Sequence, residues 1–107
     1  MKKVYVITCT VEANKILEFT LSDVMFAFSS KKKANKQLDV IKKAVIEGTW
    51  WSDSNGNPLY GKILSDQSFT SHYNSHMRDV MIESPNGLKE IYRISQLDLN
   101  SGFGEEF

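Results

Sequence analysis

Cysteine is almost missing from this chain. Cys9 stands alone, so no intramolecular disulfide can form, no CxxC pair exists for metal or redox work, and nothing argues for an oxidising compartment. Histidine is nearly as scarce. His72 and His76 would share a face if they lay on a helix, with Cys9 or Asp79 as conceivable third ligands for a metal. The segment around them, SDQSFTSHYNSH, is a poor helix former, and HExxH fails because residue 73 is tyrosine, so two surface histidines in a polar loop are the better reading and no metal is expected. No glycine pattern of the form GxGxxG or GxxxxGK[ST] opens a helix, which removes a nucleotide loop. No GxSxG elbow follows a strand, although Ser68, Ser71 and Ser75 surround the histidines. No cofactor is expected. Long hydrophobic runs are absent too: the opening MKKVYVITCTVE is short, alternates with threonine and meets Glu12 before any small-residue cleavage site, so it reads as a strand. A cytoplasmic protein with no membrane association is the expectation.

Excess charge of one sign is also lacking, since thirteen basic residues balance thirteen acidic ones, and the simplest argument for a general nucleic-acid binder goes with it. The balance is uneven along the chain. Residues 1–48 carry nine lysines against five acids, and residues 49–107 carry four basic residues against eight acids. Either the halves face different sides as a dipole, or they interleave in one sheet and the charges pair across strands.

What is present is enough apolar material, 41% of 107 residues, for one core and one domain over 1–107. The clearest pattern lies in SSKKKANKQLDVIKKAVIEG. Ala34, Leu38, Ile41 and Val45 recur at helical spacing, with Val40 and Ala44 widening the stripe, and predict a helix over 31–47 that buries one face. Ser29 or Ser30 can cap its first turn, and Gly48 can take the positive φ that closes the last. Lys31, Lys32 and Lys33 sit where the helix dipole disfavours cations, by a few tenths of a kcal/mol each. Long lysine stems reaching into water accommodate that. So would an anionic partner held by free amides, two hydroxyls and three ammonium groups.

Residues 3–11 alternate like a central strand, and 16–21 with 24–28 read as a second, interrupted at Ser22 and Asp23 by a bulge or bend. Asn55-Gly56 signals a hairpin or ordered loop after Trp50 and Trp51. Residues 65–76 read as loop with a possible short helix. The run MRDVMIES, then Pro85-Asn86-Gly87, then LKEIYRISQLDL predicts two strands joined by a type I turn with glycine at positive φ. Arg78 is expected to face Asp98 or Glu90 across that pair. The sum is an α+β fold: a four- or five-stranded, mainly antiparallel sheet with the helix on one face and a tryptophan-bearing excursion at one end. Leu38, Ile41, Val45, Ile7, Phe26, Phe28, Val80, Ile82, Ile91 and Ile94 should supply most of the core.

The opening MKKVYVI, the strand ending in FSSKKKA that becomes the helix, and the closing YRISQLDLN with its aromatic-glycine tail resemble a loose group of small bacterial and phage domains of unassigned activity. The resemblance covers roughly half the chain and implies the strand, strand, helix and returning-strand order. It transfers no site residues.

Two functions are compatible with these residues. The first is a non-catalytic protein-binding module, made by a phage or mobile element to occupy a host protein, using Trp50, Trp51, Tyr60, Phe103 and Phe107; adjacent tryptophans on a strand point to opposite faces, so either one of them is exposed, or one enters the core and the other lies under the 65–76 loop. Homodimerisation through an open sheet edge is a variant. The alternative is a nucleic acid or small anionic ligand held at Ser29, Ser30, Lys31, Lys32 and Lys33, with Trp50 or Tyr60 stacking on a base.

Overall fold

The computed structural model describes residues 2–12, 20–69 and 76–99. Five strands form one antiparallel sheet: β1 (Lys2–Glu12), β2 (Thr20–Phe28), β5 (Lys62–Ser68), β6 (His76–Glu83) and β7 (Lys89–Leu99), in the spatial order β2-β1-β7-β6-β5. Helix α1 (Lys31–Glu47) follows β2, and a two-stranded ribbon of β3 (Trp51–Ser52) and β4 (Pro58–Leu59) follows the helix. This is the α+β architecture that the hydrophobic patterning predicts, with β1 central between β2 and β7. The basic and acidic halves interleave: Lys3 stands opposite Asp98 and Glu12 opposite Lys89 in the strand register, and Lys42 of the helix forms an ion pair with Asp66 of β5 at 2.6 Å.

The helix forms where its caps and stripe place it. Ser30 is extended and its hydroxyl accepts from Lys33 N at 3.3 Å, while Gly48 adopts φ 78 and its N–H donates to Ala44 O. Ala34, Leu38, Ile41 and Val45 are fully buried, whereas Val40 is 51% exposed and does not extend the stripe as its sequence position suggests. Cross-strand rows complete the core under the helix. Phe26, Ile7, Ile94 and Arg78 stand side by side; Cys9, Tyr92, Val80 and Asp66 form the next row, and Glu90, Ile82 and Ile63 the third. Strand alternation then sends Ile91, paired with Thr10 and Met81, to the face away from the helix, so it leaves the expected core. Tyr92, at 2% exposure, takes its place. On that helix-free face Arg93 and Asp79 are directly opposed and form a fork at 2.7 and 2.9 Å, a geometry favourable for a cross-strand ion pair.

Three local expectations are corrected. The irregularity in β2 falls at Met25, because Ile7 pairs with Phe26 and Thr8 with Val24, while Ser22 and Asp23 stay in register with Thr10 and Cys9. Polar side chains do not interrupt a ladder that the backbone makes; an extra residue does. Residues 65–68 belong to β5 rather than a loop, and 16–19 lie outside the described residues. Arg78 faces neither Asp98 nor Glu90: it stands opposite Ile94 and reaches the helix and β5 instead. The β6–β7 turn is as expected, with Gly87 at φ 82 and Gly87 N donating to Ser84 O at 2.9 Å.

Candidate functional site

The tryptophan excursion closes one end of the core. Trp50 is anchored from inside: its indole Nε1 donates to the Tyr92 hydroxyl at 3.1 Å, the two rings meet edge to face at 6.2 Å, and that hydroxyl donates to Glu90 Oε1 at 2.5 Å. Burial, with the Glu90 carboxylate second, pushes the Tyr92 hydroxyl far above the usual phenol range, so it stays a donor at all ordinary pH. Trp51 is anchored from outside the sheet. Its ring lies so close over Gly61 that an added Cβ would stand 2.6 Å from it and 2.7 Å from the Glu83 carbonyl; only glycine fits there. Both indoles are half-buried and pack against the core. Neither is the exposed anchor that strand alternation suggests, because β3 has two residues only and the chain bends enough to bring both rings onto the same end.

Tyr60 is different. It is 61% exposed, and its ring covers the helix C-terminus, where a Cβ on Gly48 would come within 2.7 Å of it. Ile46, two residues before that glycine, is 61% exposed, and Leu64, four residues beyond Tyr60, is 42% exposed. Leu64 is the extra residue of a bulge, since Ile63 pairs with Ile82 but Ser65 with Met81. Tyr60 and Ile46 thus lie exposed at the end of the helix, and Leu64 is exposed near the start of β5. Ile46 and Leu64 escape sequence reasoning. Ile46 adjoins the buried stripe and looks like its fringe, and the bulge at Leu64 leaves no local mark. Among the described residues β5 pairs with β6 alone.

At the opposite side of the β5–helix junction a polar cluster seals the core. Arg78, with a side chain 10% exposed, donates from Nε to Asp66 Oδ1 (2.9 Å) and from its terminal nitrogens to Asp66 Oδ2 (2.7 Å), Asp39 Oδ1 (2.7 Å) and Asn35 Oδ1 (3.2 Å). Lys42 adds a bond to Asp66 at 2.6 Å. The Arg78 guanidinium first, and Lys42 after it, hold Asp66 down at about 2 against the opposing effect of burial. A carboxyl whose folded pKa is depressed contributes stability above its unfolded pKa and loses it as pH falls through the folded value. The contribution of Asp66 is therefore complete near neutrality and lost between about pH 5 and 2; for a side chain 25% exposed it amounts to about 1 kcal/mol after solvent screening. Urea titrations at pH 7 and pH 3 check this: the stability difference between the wild type and Asp66→Asn should be larger at pH 7 and shrink at pH 3.

The residues proposed for anion binding do not join the aromatic group. Lys31, Lys32 and Lys33 are exposed, Ser29 is exposed, and the Ser30 hydroxyl is already engaged as the cap. The seventeen residues of the helix separate them from Trp50 and Tyr60 by about 25 Å, so base stacking on those rings by a ligand at the helix start is ruled out by distance. His76 opens β6; of the two conceivable third ligands, Asp79 is committed to Arg93 and Cys9 lies in β1. His72, Phe103 and Phe107 lie outside the described residues. Among the described residues no three His, Cys, Asp or Glu side chains are grouped to hold a metal, and no helix is long and apolar enough to cross a membrane. Comparison with protein-family models, with curated proteins and with solved structures finds no match to this chain in any of the three.

Proposed function

We propose that this chain is a non-catalytic protein-binding module whose contact surface is centred on Tyr60, with Ile46 and Leu64 beside it. The observation that carries the reading is the exposure of these three side chains, 61%, 61% and 42%, with the Tyr60 ring laid over the end of the helix at Gly48. An exposed aromatic held on packed neighbours loses little freedom on binding, which suits a central contact residue. Trp50 and Trp51 take a supporting role in this reading: they fix the platform rather than touch the partner. The partner is a protein of the cell in which the chain is made, a phage or mobile-element origin being the setting in which a small module that occupies a host protein is useful.

The test compares immobilised wild type with Tyr60→Asp, Leu64→Asp and a Lys31, Lys32 and Lys33→Gln triple variant in host lysate, with melting curves for each. A protein retained by the wild type and the lysine variant but lost at least tenfold with Tyr60→Asp is the expected outcome. Retention indifferent to Tyr60 and Leu64 would overturn the surface. Loss on the lysine changes alone, with salt-sensitive retention, would return the helix start to first place. A solution mass of twice the monomer that falls to the monomer with Tyr60→Asp would identify the partner as a second copy.

A further inference from the structure

The dipeptide Asn-Gly occurs twice, each time at the tip of an exposed turn, and the two turns restrain it differently. Around Asn55-Gly56 the carboxylate of Asp53 closes the loop: Oδ1 accepts from Asn55 N (2.9 Å) and Asn57 N (2.8 Å), and Oδ2 accepts from Asn57 Nδ2 (3.2 Å). Asp53 N further donates to Asn57 O, and Gly56 N to Asp53 O, both at 3.0 Å. These bonds depress the Asp53 carboxyl below the usual range, the Asn57 backbone first among them, so the clamp is charged throughout the neutral and alkaline range. Around Asn86-Gly87 no carboxylate closes on the tip. Ser84 holds the base, with Ser84 N to Leu88 O at 2.8 Å, Leu88 N to Ser84 Oγ at 3.2 Å and Gly87 N to Ser84 O at 2.9 Å. Neither the Asn55 nor the Asn86 side chain bonds to any described residue, and a Cβ added at Gly56 or Gly87 would meet nothing within 4 Å.

We propose that Asn86 is a site of spontaneous backbone modification, deamidating through a cyclic imide, and that the Asp53 clamp protects Asn55 from the same reaction. The Gly87 amide nitrogen, on losing its proton to hydroxide, attacks Cγ of Asn86; a C–N bond forms, the bond from Cγ to the side-chain nitrogen breaks, and ammonia leaves after taking up a proton from water. Water then opens the five-membered imide at either carbonyl and leaves aspartate or isoaspartate. No oxidant or reductant is involved. Glycine following the asparagine matters because the absent side chain leaves the approach to Cγ open. At Asn86 the approach costs one backbone bond, Gly87 N to Ser84 O. At Asn55 the same rotation pulls Asn55 N and Asn57 N away from Asp53, and the fixed negative charge opposes loss of a proton from amides beside it. Asn57 is exempt for another reason: it precedes Pro58, whose nitrogen carries no proton. Deamidation places a new carboxylate at the β6–β7 tip, and isoaspartate lengthens the backbone there.

The full chain is incubated in mildly alkaline buffer and sampled by peptide mapping, with isoaspartate detected by its selective enzymatic methylation. Conversion at Asn86 should run several-fold ahead of Asn55, and Asn86→Gln should remove the first product. Asp53→Ala should raise the Asn55 rate several-fold with the Asn86 rate unchanged. Should Asp53→Ala lower the melting temperature, Asp53→Asn, which keeps the shape and removes the charge, is read in its place with the same expectation. Equal or faster conversion at Asn55 in the wild type, or an Asn55 rate unmoved by both Asp53 variants, would overturn the proposal.

Discussion

Leu38→Ala lowers the unfolding free energy by about 2–5 kcal/mol, the range for truncating a fully buried leucine. Leu38 has no exposed surface and belongs to the cluster it forms with Ile7, Ala34, Ile41, Val45, Val80, Ile82, Tyr92 and Ile94. Its removal takes away both the transfer free energy of its side chain and the contacts of those that lined it. The helix crosses rigid cross-strand rows and is fixed at both caps, so the void can collapse only in part. Domains of this size hold about 5–15 kcal/mol in all, and the melting temperature should fall by about 4–8 °C per kcal/mol. Val40→Ala is the internal control: on the same helix but 51% exposed, it should stay within about 0.5 kcal/mol. Urea unfolding of the two variants side by side checks the contrast, and a Leu38→Ala midpoint equal to that of Val40→Ala would remove the helix stripe from the core.

Arg78→Ala should be the second most damaging change, at about 2–4 kcal/mol. Breaking a buried ion pair from one side costs about 3–5 kcal/mol because the other charge is left desolvated. Here the loss is reduced, since Asp39 remains 62% exposed and Asp66 25% exposed and keeps Lys42. Arg78→Lys should recover less than half of it, because one ammonium cannot bridge both Asp66 oxygens and also reach Asp39 and Asn35. A double-mutant cycle with Asp66→Asn separates the pair from the packing of the arginine stem. Coupling of about 1 kcal/mol or more is expected, and strict additivity would mean that the guanidinium acts as filler alone.

How far the sequence could be read depends on the range over which each feature is determined. The helix is specified within twenty residues, by Ser30, four apolar positions and Gly48, and each signal acts through neighbours one turn away. The β6–β7 hairpin is likewise local, because Pro85, Asn86 and Gly87 define a turn by their own backbone preferences. Partners across strands are another matter. The true contacts of Arg78 depend on β5 lying at the edge and on one extra residue, Leu64, which shifts the alternation so that Asp66 joins the face of Ile63. Without that bulge the face would continue through Ser65 and Gln67, and the arginine would have no carboxylate opposite. Bulges are set by pairing, which no stretch of β5 displays by itself. The candidate surface was half legible for a related reason. Tyr60 stands out as an aromatic in a polar stretch, but the half-burial of Trp50 and Trp51 against the core follows from Tyr92 and Gly61, which lie 42 and 10 positions further along the chain.

The central position of β1 between β2 and β7 has a bearing on how the chain is made. Lys2 is paired with Leu99 and Glu12 with Lys89, so one long side of β1 waits for β7, some eighty residues further along the chain. At about 5–20 residues per second, a ribosome takes several seconds to deliver β7 after β1 has emerged. During that interval β1, β2 and the helix can associate, but the side of β1 that β7 later covers presents unmatched backbone N–H and C=O groups. A nascent chain in this condition is a substrate for holding chaperones and for pairing with a second nascent chain. The final hairpin, joined by its own tight turn, then enters as a unit and closes the sheet, which makes the arrival of β7 the step that commits the polypeptide to its folded form.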